Sequence, residues 1–302
     1  MDTLESLHRK IYGATELKSV VRTMKAMAAS NIGQYETAVN SLGDYYHTVA
    51  LGLIAYFREK KINELIKNKT SDAKKEKLIC AIVFGSDQGL VGRFNDSLTD
   101  FVSNSLNALP GKKEIWVVGE RIQLLLSDIN FPSTKTFSVP VSVKAITSLV
   151  GQILILSEQA YEKGNSREFY IFHNKQNQEA GYSPVCERLL PLDEKWRQNL
   201  MQIQWPTKKI PQFAGKVKPI LQALIHEYLF VSLFKACAES LAAENASRLS
   251  AMQRAEKNIE ELLEELNSKF HRSRQSSIDE ELFDVVSGFE ALKDNVLYKK
   301  QN

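Results

Sequence analysis

The residues from Gly85 to Asn95, GSDQGLVGRFN, follow a continuous apolar run and open a predicted helix, which is where glycine-rich loops cradle phosphate. The spacing here is GxxxGxxG. It is neither GxGxxG nor GxxxxGK followed by Ser or Thr, so the pattern favours a structural turn over a phosphate site. Asp87 and Arg93 are the charges such a loop offers to a protein neighbour.

Other chemistry is thinner still. No nucleophile elbow, HRD-type loop or carboxylate pair beside a cleft signal occurs, so the sequence points to no catalysis by this chain alone. Five histidines, His8, His47, His173, His226 and His271, make no HxxxH or HExxH pairing, and no metal site is assigned. The three cysteines, Cys80, Cys186 and Cys237, are isolated among apolar residues and read as buried reduced thiols, not as a disulfide framework. No cofactor is called for.

A formal net charge of +3 is too small to argue for nucleic acid. Its distribution says more. Lys60, Lys61, Lys67, Lys69, Lys74, Lys75 and Lys77 crowd one predicted non-helical connector, and Lys195, Arg197, Lys208, Lys209, Lys216 and Lys218 another. No stretch reaches 18 uninterrupted apolar residues, and the opening MDTLESLHRK lacks the apolar run of a secretory signal. The chain reads as a bacterial cytosolic product, and a processed mature chain would read the same.

The elements around these residues are legible from periodicity. Leu4, Leu7, Ile11, Ala14, Leu17, Val21, Met24, Ala28, Asn31, Tyr35, Ala38, Leu42, Tyr45, Val49, Gly52 and Tyr56 step in threes and fours, as a left-handed coiled-coil seam does. Leu249, Met252, Ala255, Ile259, Leu262, Leu266, Phe270 and Ser273 repeat the pattern near the other end, with Glu256 to Glu265 supplying an acidic outer face. At a rise of about 1.5 Å per residue the first helix spans roughly 80 Å and the last, from about Pro219 to Leu292, roughly 110 Å. Each needs a partner, and the nearest is the other.

Between them the period changes. Leu78–Phe84 and Glu114–Val118 read as buried strands and Glu168–Phe172 as a third, alternating with helices at Asn95–Leu109, Glu120–Ser127 and Ser142–Gly164. Val185–Leu192 and Met201–Trp205 are expected as edge strands, bounded by Pro184, Pro191 and Pro206. The predicted fold class is mixed α+β and α/β: a long antiparallel coiled coil of the terminal helices with a central Rossmann-like α/β domain. The expected divisions are a helix over 1–60, a basic connector over 61–77, the α/β domain over 78–210 and a helix over 211–302.

Three motifs carry a resemblance. RTMKAMAASN from Arg22, GSDQGLVGRFN in the first central turn and SRQSSIDEELFDVVSGFEAL from Ser273 resemble, in that order, KAMxMVAASK, TSDRGLCGGLN and ARQxxITxEIxEIVSGAxAL of the gamma subunits of F-type rotary ATP synthases. The resemblance implies a non-catalytic central-stalk rotor that couples ion flow through a membrane ring to ATP synthesis or hydrolysis. It implies contacts with alpha and beta subunits of a catalytic ring, an epsilon-type stalk subunit and the ring subunit, peripherally at the cytoplasmic face of a bacterial plasma membrane. Met24, Arg248 and Gln275 match positions the family places near beta-subunit loops, and Arg22 and Lys25 stand beside them. Asn31 and Asp279 replace the family's lysine and threonine, Lys25-Ala26-Met27 reorders its pattern, and residues 293–302 run past its usual end, which mark a divergent branch.

Two other classes compete on the residues alone: a nucleotide-binding α/β enzyme with coiled-coil arms, and a hinge-and-arms protein holding nucleic acid through its basic connectors. Strong salt dependence of DNA binding would favour the second.

Overall fold

The computed structural model describes residues 3–59, 78–162, 167–177, 181–209 and 217–298. The chain divides into two compact units, one formed by residues 1–26 and 252–302, the other by 27–251. Two long helices, α1 (Leu4–Glu59) and α6 (Val217–Tyr298), contribute to both.

In the larger unit, α1 and α6 border a five-stranded sheet. The elements run β1 (Leu78–Phe84), α2 (Phe94–Ala108), β2 (Lys112–Val118), α3 (Glu120–Asp128), β3 (Lys135–Phe137), α4 (Val143–Glu162), β4 (Arg167–Gln176), β5 (Tyr182–Leu190) and α5 (Glu194–Met201). The strand order is β3-β2-β1-β4-β5, with β5 alone antiparallel to its neighbour. Period-two alternation explains the layering: Cys80, Ile82 and Phe84 of β1 and Phe169 and Ile171 of β4 pack against α4 and α6, while Ile79, Ala81 and Val83 face α2 and α3. A sheet covered on both faces needs apolar residues at consecutive positions, as LICAIVF supplies.

The apolar stretch of α6 from Leu229 to Ala243 serves this core: Leu229, Val231, Leu233, Phe234, Leu241 and the small Ala236, Ala238, Ala242 and Ala243 are all buried. At the other end of this unit, Val49, Leu53 and Ile54 of α1 pack with Leu221 and Leu224 of α6 and with Trp196 and Leu200 of α5.

In the smaller unit the two helices run antiparallel. Ala14, Val21 and Met24 of α1 close on Met252, Ala255, Ile259 and Leu263 of α6. The seam differs in detail from the threes-and-fours reading. Along the whole of α1, Leu7, Ala14, Val21, Ala28, Tyr35, Val49 and Tyr56 are buried and with half-buried Leu42 fall on one row of sevens, and beside Met24, Asn31 and Ala38 the residues Ile11, Lys18, Lys25, Ile32 and Val39 are half-buried too. Leu17 and Tyr45 are exposed instead, and Leu262 yields its seam place to Leu263. Lysine stems at 18 and 25 cover the seam while their ammonium groups reach its edge, and a count of apolar residues does not see this.

Other expectations also shift. Strand β3 is too short to carry a period, and residues 201–205 form no strand. They leave α5, whose Asp193 N-cap accepts the Trp196 N–H at 2.9 Å, so Lys195 and Arg197 lie on a helix and not in a connector. Cys80 and Cys237 are buried, but Cys186, on the edge strand β5, is exposed. Residues 60–77, with the first lysine cluster, lie outside the described residues, as does Gly164.

Candidate functional site

The turn after β1 is built from inside. The carboxylate of Asp87 accepts the Glu120 N–H at 3.0 Å and the Val139 N–H at 3.1 Å, capping α3 and holding the segment that precedes α4. Asn95 accepts the Ser86 N–H at 3.1 Å and donates to Ser86 Oγ at 2.8 Å. Gly119 makes this closure possible, because its φ of +116° suits glycine and a Cβ there would sit 2.6 Å from the Ser86 carbonyl oxygen. The Asp87 carboxylate thus ties the loop to the N-terminus of α3, a structural role for the turn. Both oxygens of Asp87 are engaged within the chain, and Arg93 is exposed.

In the smaller unit Arg22 and Lys25 converge on one partner, Glu256. Arg22 Nε donates to Glu256 Oε1 at 2.7 Å, Lys25 Nζ bonds Glu256 Oε2, Arg22 also reaches Glu260 at 3.7 Å, and Lys18 pairs with Glu260 at 2.9 Å. The ladder follows from antiparallel geometry: cations one turn apart on α1 meet acids one turn apart on α6. Hydrogen bonds from Lys25 and Arg22 hold the Glu256 carboxyl down to about 2, and Glu256 in turn raises the Arg22 guanidinium. Met24 packs in the seam, and Gln275 is exposed on α6.

Arg248 belongs to the larger unit. Its Nη2 lies 2.6 Å from Glu244 Oε1, one turn earlier on α6, and both side chains are largely buried. Burial raises the Glu244 carboxyl, with Arg248 opposing the shift, and Glu244 Oε2 has no hydrogen-bond partner among the described residues. Tyr35 of α1 feels the same carboxylate, and burial together with Glu244 raises its phenol.

Arg22, Lys25 and Arg248, read from the sequence as partner contacts, thus each have an acid within this chain. Glu256, Glu260 and Lys18 were visible only as opposite charges at flanking heptad positions, and Glu244 looks on paper like any helix-surface acid. Large apolar side chains stay exposed outside the seam: Tyr12, Leu17 and Val20 on α1, and Ile278, Leu282, Phe283 at 72%, Val285 at 70% and Val286 on α6.

Known proteins agree with this architecture. A family model described as ATP synthase matches residues 3–292. The ATP synthase gamma chain of Fusobacterium nucleatum is 26% identical over 304 residues, covering 97% of this chain and 100% of that protein, and the gamma chain of Clostridium acetobutylicum is 25% identical, covering 95% and 97%. Among solved structures, a chain of the Euglena gracilis mitochondrial ATP synthase, OSCP/F1/c-ring, aligns with a TM-score of 0.59 at 15% identity, covering 96% of this chain and 94% of that one. A chain of the Tetrahymena thermophila mitochondrial ATP synthase central stalk and c-ring aligns with a TM-score of 0.55 at 20% identity, covering 78% and 99%. The chain belongs to the ATP synthase family, among its gamma chains.

Proposed function

We propose that this chain is the central rotor of an ion-translocating ATP synthase, carrying no catalytic site itself and turning inside a ring of alpha and beta subunits. One observation carries the reading: in the smaller unit Tyr12, Leu17 and Val20 stay exposed beside the closed seam, and Ile278, Leu282, Phe283, Val285 and Val286 stay exposed where α6 continues past the residues that pair with α1. A lone surface helix turns such residues inward, so their exposure marks a protein contact surface. Apolar contact carries no directional bonds, which suits a shaft that must turn against its neighbours.

Within that reading Gln275 and the exposed flank of Arg22 face the beta subunits, and Arg248, roughly seven helical turns from Gln275 in sequence, serves a separate level. Asp87 holds the loop in shape while Arg93 presents its charge. Lys208 and Lys209, exposed after α5, face ring-subunit loops or the membrane surface. The complex would be peripheral at the cytoplasmic face of the membrane. The test is reconstitution: alpha and beta subunits with the membrane ring, in vesicles, should pump ions on ATP addition only when this chain is present. ATP-driven pumping without it would overturn the assignment.

A further inference from the structure

Between Ala236 and Asn245 every residue of α6 is buried. The stretch carries Ala236, Ala238, Ala242 and Ala243, small side chains that let the helix lie close to the sheet but offer few features to distinguish one axial position from the next. Against that smooth background the polar content is high. Of the eleven buried polar side chains among the described residues, five fall within nine residues of α6: Glu239, Ser240, Glu244, Asn245 and Ser247. Four reach across to other elements: Asn245 Oδ1 accepts from Asn31 Nδ2 of α1 at 3.4 Å, and the other three reach the sheet and the loop after β1. Glu239 Oε2 lies 2.9 Å from His173 Nε2 on β4, Ser240 Oγ donates to the Phe84 carbonyl at the end of β1 at 2.9 Å, and Ser247 Oγ donates to the Val91 carbonyl in the following loop. The other oxygen of Glu239 lies 3.3 Å from the ammonium group of Lys175 and 3.9 Å from that of Lys235.

Apolar replacements of the same shape would hold the two surfaces together as well or better, so buried polar groups of this kind are not explained by stability. What they add is direction. A helical turn is about 5.4 Å long, and a slip of α6 by one turn would preserve much of the apolar contact while breaking all three bonds to the sheet and the loop after β1. Resting on the rotor reading, we propose that Glu239, Ser240 and Ser247 are positioning residues that fix the register of α6 on the sheet, so that torque applied to the α/β layer is delivered to the long helix without slip.

The assembled complex in vesicles tests this with the triple variant Glu239→Met, Ser240→Ala and Ser247→Ala, which removes the bonding oxygens and leaves the apolar packing. Unloaded ATP hydrolysis should stay within about twofold of wild type, while ions pumped per ATP fall by roughly fivefold, the kinetic weight of about one net hydrogen bond. The loss should grow as an opposing ion gradient is raised, a dependence that mere destabilisation does not produce. Ser240→Thr with Ser247→Thr, which keeps the hydroxyls, should pump normally. A triple variant that pumps per ATP like wild type at every gradient overturns the anchors and leaves the rotor assignment standing. Failure of the wild-type chain to support pumping overturns both. If the triple variant does not assemble, Ser240→Ala with Ser247→Ala, which keeps the Glu239–His173 pair, is measured in its place, and wild-type pumping by that pair under load refutes the proposal.

Discussion

Arg248→Ala separates a partner contact from an internal charge problem. Among the described residues Arg248 is the one cation within hydrogen-bonding distance of Glu244, a carboxylate whose side chain is only 6% exposed and whose second oxygen has no partner there. Removing the arginine leaves that carboxyl two options, to stay ionised in a poorly solvating site or to take up a proton. Protonation caps the penalty. Holding a carboxyl neutral costs about 1.4 kcal/mol for each pH unit above its ordinary 4.5, so at pH 7 the ceiling is roughly 3.4 kcal/mol. This falls within the range of about 3–5 kcal/mol for breaking a buried pair. The sign follows from the raised carboxyl: the fold binds the proton more tightly than the unfolded chain does, so stability is present below pH 4.5 and lost as pH rises above it. The destabilisation by Arg248→Ala should therefore be small near pH 4.5, where charge plays little part, and climb toward about 3 kcal/mol at pH 7. All three tryptophans, Trp116, Trp196 and Trp205, lie in the unit that holds this pair, so urea unfolding followed by tryptophan fluorescence reads the right region. Adding Glu244→Gln should recover most of the loss at pH 7. A penalty that is the same at every pH, or a double variant no better than the single, would refute the reasoning. In the assembled complex, recovery of pumping by the double variant assigns the Arg248 effect to Glu244, and persistent loss assigns it to a partner.

Three further outcomes are expected. Gly119→Ala, placing a Cβ at φ +116° and 2.6 Å from a carbonyl oxygen, should destabilise the larger unit by about 1–3 kcal/mol in the same fluorescence assay, and a neutral result would refute the close approach. Glu256 is held low by Lys25 and Arg22, so its contribution to helix pairing is present above pH 4.5 and lost as pH falls toward 2. Glu256→Gln should therefore flatten the acid limb of helix content measured by circular dichroism between those values. A maleimide should label Cys186 first in the native chain, slowly at neutral pH because partial burial and Glu187 push its thiol up to about 11, while Cys80 and Cys237 react only on unfolding.

How far the sequence could be read depended on whether a residue's role is carried by its own neighbourhood in the chain. Strand β1 was legible to the residue, because LICAIVF sits between polar connectors and no helix begins with so many β-branched and apolar residues in a row. The ends of α1 were nearly as clear. Lys18 and Lys25 were hidden as seam residues because their apolar stems and charged tips do different work, and hydropathy averages the two. Arg22, Lys25 and Arg248 stand out in the sequence as charges for a partner, while their acids within the chain do not. Their acids lie far away in the sequence at Glu256, or one turn away at Glu244, where an i,i+4 pair reads as ordinary helix surface. Burial, which turns that pair into a constraint, comes from the sheet and α1. No local pattern encodes it.

Among the described residues, the buried polar side chains all lie in the larger unit, a difference between the units that matches opposite mechanical demands. In the smaller unit the seam is apolar, the charged ladder lies at its edge, and large apolar side chains face outward. The larger unit also leaves Leu90, Leu124, Val141 and Ile155 exposed, but there hydrogen-bonding groups are driven inside, to the contact of α6 with the ends of β1 and β4. Apolar surfaces adhere without choosing an orientation, as a turning contact requires. Buried hydrogen bonds choose one geometry and penalise its neighbours, as a fixed joint requires. A bearing surface with buried polar anchors would stall at each preferred angle, and a joint made only of alanine and leucine would creep under load. Exchanging the two kinds of contact would impair rotation in one unit and transmission in the other, so the segregation itself is what the rotor reading demands of a chain whose long helices must serve both.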